Sequence, residues 1–133
     1  MTLEDGSEYE GEWLLGTQIR QGKGVLLKKD GSFYEGYFIN NVASGKGRTI
    51  HANGDYYQGQ HKEDKANGFG TYQYKDGSKH SGLWQNNKQN GHGIEKWPDG
   101  NQYEGNYVNG MKDGKGYFLW ADKSDYTGDF VDN

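Results

Sequence analysis

The chain has 133 residues, with 15 Lys and Arg against 19 Asp and Glu, a formal net charge of −4 and no cysteine. Disulfides and thiolate metal sites are therefore excluded, no basic field for nucleic acid exists, and a reducing compartment is favoured. The conspicuous residues are 11 Tyr, 5 Phe, 4 Trp and 23 Gly, so burial must be mainly aromatic, and no apolar run is long enough for a signal peptide or a membrane-spanning helix.

Residues 1–8 read as the closing half of a repeat, with Asp5-Gly6 placed before Tyr9 as Asp30-Gly31 is before Tyr34. Full copies follow at 9–33, 34–56, 57–79, 80–102 and 103–125, and a partial copy occupies 126–133. Each opens on Tyr-x-Gly or an equivalent, places an aromatic two residues after that glycine, and carries a Gly-x-Gly pair. The pairs begin at Gly22, Gly45, Gly68, Gly91 and Gly114, always 23 residues apart. The first copy is two residues longer, and the insertion lies in the loop segment between Gly11 and Gly22. A fixed period of this size marks one repeat array, 1–133, without an internal linker.

Within a copy the opening Tyr, the Gly and the aromatic alternate at i, i+2 and i+4, which is the period of a strand. Asp30-Gly31, Asn53-Gly54, Asp76-Gly77 and Asp99-Gly100 are hairpin turns, and Asp122-Lys123, which replaces them in the last copy, predicts the least well specified turn. The predicted class is all-β: an elongated, single-layer, twisted antiparallel sheet of tandem hairpins, about twelve strands and ~55 Å along the stacking direction. Keeping the Tyr, Gly and aromatic on one face with both glycines of the pair calls for a six-residue connection, pairing Trp84 with Gly91 and Gly82 with Gly93. A three-residue loop, Pro98-Asp99-Gly100, then brings Gly93 against Gly105.

A glycine lane crosses the sheet in this arrangement and makes room for rings to lie over bare backbone. The framework so assigned contains Gly22, Gly24, Gly45, Gly47, Gly68, Gly70, Gly91, Gly93, Gly114 and Gly116, with the rings Tyr9, Trp13, Tyr34, Phe38, Tyr57, Trp84, Tyr103 and Tyr107.

The unit Tyr103-Glu-Gly105-Asn-Tyr107 with Gly114-Lys-Gly116 resembles the MORN (membrane occupation and recognition nexus) repeat family, and the resemblance spans the chain. Its departures are His80 in place of the opening Tyr, His61 in place of the aromatic, and the insertion in the first copy. The resemblance implies a non-catalytic binding or assembly module, cytoplasmic, with members that look like scaffolds of cytoskeletal, ciliary, cortical or membrane-junction structures. Similar repeats also precede lipid-kinase and methyltransferase domains, so a regulatory arm of a larger enzyme is a further alternative.

On the face of the Tyr and Gly columns, two positions per copy vary: Leu26 and Lys28, Thr49 and His51, Tyr72 and Tyr74, Glu95 and Trp97, Phe118 and Trp120. Seats that every copy needs repeat, so recognition is written in the seats that differ. From Tyr72 onward this track is aromatic. Tyr72, Tyr74, Trp97, Phe118 and Trp120 are predicted to seat an apolar helix or extended peptide of a protein partner; the competing reading is that these rings pack on one another as core.

The other face carries Glu10, Glu12, Glu35 and Glu104 with Lys23, Lys46, His92 and Lys115. Glu12 is expected opposite Lys23, with Glu35 and Glu104 diagonal to Lys46 and Lys115, so the charges pair across strands. Their basic clusters fall short of a polybasic lipid patch, which leaves anionic phospholipid (phosphoinositide), met by a peripheral membrane adaptor, as the rival partner.

The four histidines share no site and no metal or other cofactor is expected. The Gly-x-Gly pairs open no helix, no convergent Ser/His/Asp set exists, and an enzyme is not expected. Open edge strands at the ends predict continuation of the sheet by other repeats, pairing with a second copy, or cover by a partner.

Overall fold

The computed structural model describes residues 1–130 and contains β1 (Glu8–Trp13), β2 (Arg20–Leu27), β3 (Phe33–Ile39), β4 (Val42–Ile50), β5 (Tyr56–Lys62) and β6 (Lys65–Gln73). It continues with β7 (Lys79–Gln85), β8 (Lys88–Lys96), β9 (Gln102–Val108), β10 (Met111–Leu119) and β11 (Asp125–Phe130). They form one antiparallel sheet in strict chain order, each strand bonded only to its sequence neighbours. The described strands number eleven rather than about twelve, because the segment before β1 contributes a single bridge, Thr2 to Glu8. Of the partial copy at 126–133, residues 131–133 lie outside the described residues.

Two kinds of turn alternate. Between repeats, Trp97 N donates to Asn101 O and Gly100 N to Trp97 O, closing a three-residue loop with Gly100 at φ 95°. The Asp99 carboxylate accepts from Asn101 N, which holds the turn by a local side-chain bond. Lys123 takes the same left-handed seat at φ 73°, with the same two backbone bonds around Trp120. The turn expected to be least specified thus keeps its geometry; what changes is that a side chain carries the cost of positive φ.

Within copies two to five the expected six-residue connection is replaced by a two-residue turn, whereas in the first copy residues 14–19 join Trp13 to its partner Arg20. Ile39 pairs with Val42, Lys62 with Lys65, Gln85 with Lys88 and Val108 with Met111, and both central residues have positive φ, as at Asn86 (50°) and Asn87 (70°). A bulge of two extra residues then shifts the register without changing side-chain parity. Gly82 does pair with Gly93, but Trp84 pairs with Gln89, and Gly91 instead sits in the bulge at φ 105°, facing Tyr107 of the next strand. A tight turn plus a bulge pairs more of the strand and leaves the second glycine of each pair on the ring face, but it turns the first over. A Cβ at Gly91 would meet Leu83 and one at Gly22 would meet Glu12, side chains of the opposite face, so the two glycines do not share a face as expected.

The second turn residue also ties one repeat to the last. The side-chain oxygens of Asn41, Asp64 and Asn87 accept from the backbone N–H of Arg20, Ala43 and Ala66, while their own N–H groups donate to the carbonyls of those same residues.

The glycine lane crosses all eleven strands, in the order Gly11, Gly24, Gly36, Gly47, Gly59, Gly70, Gly82, Gly93, Gly105, Gly116 and Gly128. Rings occupy the space it leaves: a Cβ at Gly116 would stand 2.6 Å from Tyr103 Oη and 2.7 Å from its Cε1. The hydroxyl completes the seat by donating to the carbonyl three residues on, as Tyr9 does to Glu12 and Tyr57 to Gln60.

These rings form a continuous herringbone: Trp13, Tyr9, Phe38, Tyr34, His61, Tyr57, Trp84, His80, Tyr107, Tyr103, Phe130, Tyr126. Consecutive members meet edge-to-face with centroids 4.7–5.5 Å apart. Each such pair adds about 0.5–1.5 kcal/mol beyond burial. The expected framework rings are buried except Trp13, which packs partly exposed against this core.

Candidate functional site

The varying positions lie on the ring face, as alternation requires. Cross-strand order runs Leu26, Tyr34, Thr49, Tyr57, Tyr72, His80, Glu95, Tyr103, Phe118, Tyr126, so the first varying residue of each copy stands between two repeat openers. The second (Lys28, His51, Tyr74, Trp97, Trp120) lies just past the strand end, at the turn between repeats. Strand pairing therefore delivers the first varying side chains into one row over the framework rings.

The five predicted contact residues do not form one groove. Tyr72 and Tyr74 belong to the middle of the sheet: Tyr72 lies 5.9 Å from His51, 6.0 Å from Trp84 and 4.6 Å from Tyr74, and its hydroxyl donates to Asp55. Burial, with the neighbouring Asp55 carboxylate, pushes the Tyr72 phenol up to about 12. A hollow of about 400 Å³ opens beside Tyr72, lined by Tyr57, His61 and Trp84 and made roomy by Ala43 and Ala66, which occupy seats filled by Arg20 and Lys112 in the first and last full copies.

Trp97, Phe118 and Trp120 make a second group. Trp97 stacks on Phe118 at 5.7 Å, and Phe118 lies 4.6 Å from Trp120. With Lys112, Tyr126 and Phe130 they line a hollow of about 590 Å³. Lys112, which the sequence reading did not single out, holds its ammonium 5.5 Å from the Trp97 ring centre and 5.2 Å from that of Tyr103. Trp120 remains 41% exposed although its ring is in contact with Phe118.

Glu95 divides the two groups. Its carboxylate accepts from Tyr107 Oη at 3.0 Å and lies 3.5 Å from Nδ1 of the fully buried His80. Burial opposes the Glu95 charge, but His80 and Tyr107 outweigh it and hold its pKa below the ordinary carboxylate value. Tyr107 is pushed up by burial and by the same carboxylate. His80 takes the seat of an opening Tyr but cannot reach the carbonyl that a Tyr hydroxyl would find, and among the described residues neither ring nitrogen has a hydrogen-bond partner. His61, in an aromatic seat, is satisfied: Nδ1 lies 3.1 Å from Gly59 O and Nε2 3.1 Å from Thr49 Oγ1. A carbonyl can only accept, so Nδ1 carries the proton, and burial lowers the His61 pKa.

On the opposite face the charge pairs differ from those expected, at the bulge for Glu12 and by choice of another cross-strand neighbour for the rest. Glu12 accepts from the backbone N–H of Lys23, not from its ammonium. Glu35 pairs with Arg48 at 3.8 Å, Glu104 with His92 at 3.3 Å and Lys115 with Asp129 at 3.8 Å. Lys23 leans over Tyr37, 5.8 Å from its ring centre, and neither Lys23 nor Lys46 meets a carboxylate among the described residues.

Among solved structures the chain is similar to the SAS-4 (dCPAP) TCP domain of Drosophila melanogaster, which was determined in complex with a proline-rich motif of Ana2 (dSTIL). The TM-score is 0.56 at 17% identity, over 84% of this chain and 61% of that one, so this likeness is one of fold and the chain spans less than two thirds of that neighbour. No curated relative matches by sequence. The MORN repeat model matches five consecutive times, at 9–33, 34–56, 57–79, 80–102 and 103–124, and the chain belongs to the MORN repeat family.

Proposed function

We propose that this chain is a non-catalytic protein-interaction scaffold that seats an extended segment of a partner against Trp97, Phe118 and Trp120. The carrying observation is that this group lines an open hollow beside a framework whose rings are already packed. Aromatic anchors around a solvent-facing hollow suit peptide recognition, and the fold neighbour's complex with a proline-rich motif supports an extended ligand. Tyr72 and Tyr74 act in this reading as a supporting wall. The cellular setting we propose, from family membership, is a cytoskeletal, ciliary or cortical assembly reached from the cytoplasm.

Selection of a displayed random 12-residue library, about as long as this track can accommodate in extended form, tests the reading. Peptides recovered on the wild-type chain are expected to bind at least about tenfold more weakly to Trp97→Ala and Trp120→Ala, a loss typical of hot-spot aromatics. Undiminished binding to both variants would overturn it. The rival, an adaptor for anionic phospholipid, draws on Lys23, Lys46 and Arg48 of the other face; salt-sensitive retention on phosphoinositide vesicles, without peptide binding, would favour it.

A further inference from the structure

The ring face is only half of a one-layer sheet. Behind β2–β6 the reverse of the glycine lane forms a hollow of about 780 Å³, larger than either hollow on the ring face. Its floor is the backbone of Gly24, Gly36, Gly47 and Gly59, and its walls are two rows of side chains. One row holds Val25, Glu35, Arg48 and Gln58, successive cross-strand partners; the other holds Lys23, Lys46, Gln60 and Phe69. The framework rings all lie on the other side, so nothing in the repeat explains the apolar groups here. Phe69 is 62% exposed and Val25 37%.

Charge decides what would lie in it. Lys23, Lys46 and Arg48 line the hollow with one carboxylate, Glu35, already within 3.8 Å of Arg48. At the β1 rim Glu10 stands opposite Val25 and Glu12 accepts from Lys23 N, so the cation that meets no carboxylate at the centre, among the described residues, is Lys46. The lining is therefore cationic around Lys46, on a chain of net charge −4. We propose that it is a second docking surface, independent of the ring face, for an extended acidic polypeptide segment. Such a segment crosses the strands along the lane, places one apolar side chain against Val25 at one end and another against Phe69 at the other, about four strand spacings apart, and sets carboxylates against Lys46 between them. An extended chain is favoured over a helix because the rows flanking a glycine stand only two residues apart along each strand, about 7 Å, narrower than a helix of ~10 Å. A flat membrane would reach the cations but could not enter the lane to contact its floor.

The test uses the full chain with Trp97→Ala and Trp120→Ala, so that ring-face binders drop out whether or not the preceding section is right. Random 12-residue displayed peptides are selected on that variant, and recovered peptides are synthesised and measured by fluorescence anisotropy. The expected result is enrichment of Asp and Glu between two aliphatic or aromatic residues, with affinity falling about tenfold on Lys46→Glu or Phe69→Ala and falling as salt is raised. Both positions are exposed, and unchanged thermal melts will show that the variants fold. Recovery of no acidic peptides, or acidic peptides indifferent to Lys46→Glu, would refute the proposal. Vesicles of phosphatidylcholine with phosphatidylserine form a second arm: retention that depends on Lys46 without peptide binding assigns the surface to a membrane instead. Concentration-dependent mass of the free chain, abolished by Lys46→Glu, assigns it to a second copy and equally overturns the proposal.

Discussion

The two hollows on the ring face are built on the same framework and differ in what was added to it. In the middle of the sheet the second-strand seats at Ala43 and Ala66 are small, so Tyr57, His61 and Trp84 close underneath and Tyr72 folds onto them. Toward β10 the varying seats hold Trp97, Phe118 and Trp120, whose rings stack on one another rather than entering the herringbone. A repeat array separates stability from recognition in this way: columns shared by every copy hold the sheet, and columns that differ decide where apolar surface is left open.

The largest expected effect lies in that division. Tyr57→Ala removes a buried ring that touches His61 and Trp84 and covers Gly70, and should cost about 3–5 kcal/mol in urea unfolding. Trp120→Ala, at the open hollow, should cost less than about 1 kcal/mol while still weakening ring-face peptide binding at least about tenfold. Equal losses of stability would mean that the second group is core and would remove the basis for reading it as a docking site.

A smaller effect separates the two glycines of one pair. Gly116→Ala drives a methyl to within 2.6–2.9 Å of the Tyr103 ring and should cost about 2–3 kcal/mol, as overpacking does. Gly114→Ala meets nothing nearer than 3.9 Å, but its φ of 72° disfavours a side chain, and about 1 kcal/mol is expected. The ratio of the two distinguishes a ring seat from a bulge seat, which Gly-x-Gly in the sequence does not.

Much of the architecture was legible because it is periodic: strand alternation, the glycine lane, the three-residue loops and the placement of His61 and His80 in ring seats all follow from the 23-residue phase. The bulge at Gly91 was not, since a two-residue turn plus a bulge and a longer loop give the same parity. In the first copy the bulge presents the Lys23 N–H to Glu12, while Glu35 and Lys115 meet their direct cross-strand partners Arg48 and Asp129 instead of the diagonal ones expected. Lys23 and Lys46 keep their ammonium groups off carboxylates among the described residues. Asn109-Gly110 was the overlooked signal for the tight turn, with both residues at positive φ. The division of the aromatic track at Glu95 was invisible for a different reason. It depends on His80 and Tyr107, which reach Glu95 from the strands on either side of β8.

The smallest effect tests that boundary. Because the folded chain holds Glu95 below its ordinary pKa, the unfolded chain takes up its proton first as pH falls. The stability contributed by Glu95 is therefore complete above the unfolded value, near 4.5, and is lost as pH drops through the folded one. Asp30, Asp76 and Asp122, lowered by hydrogen bonds from the serine two residues on, lose stability in acid too, so the measurement must be a difference. Glu95→Gln retains an acceptor for Tyr107 but no charge facing His80, and should cost about 1 kcal/mol at neutral pH. Its urea midpoint should then fall less steeply than that of the wild type between about pH 6 and pH 3. Parallel curves would show that the carboxylate contributes no proton-linked stability. The separation of the two hollows would then rest on the bulk of residue 95 alone, and Glu95→Ala should merge them into one peptide-binding track.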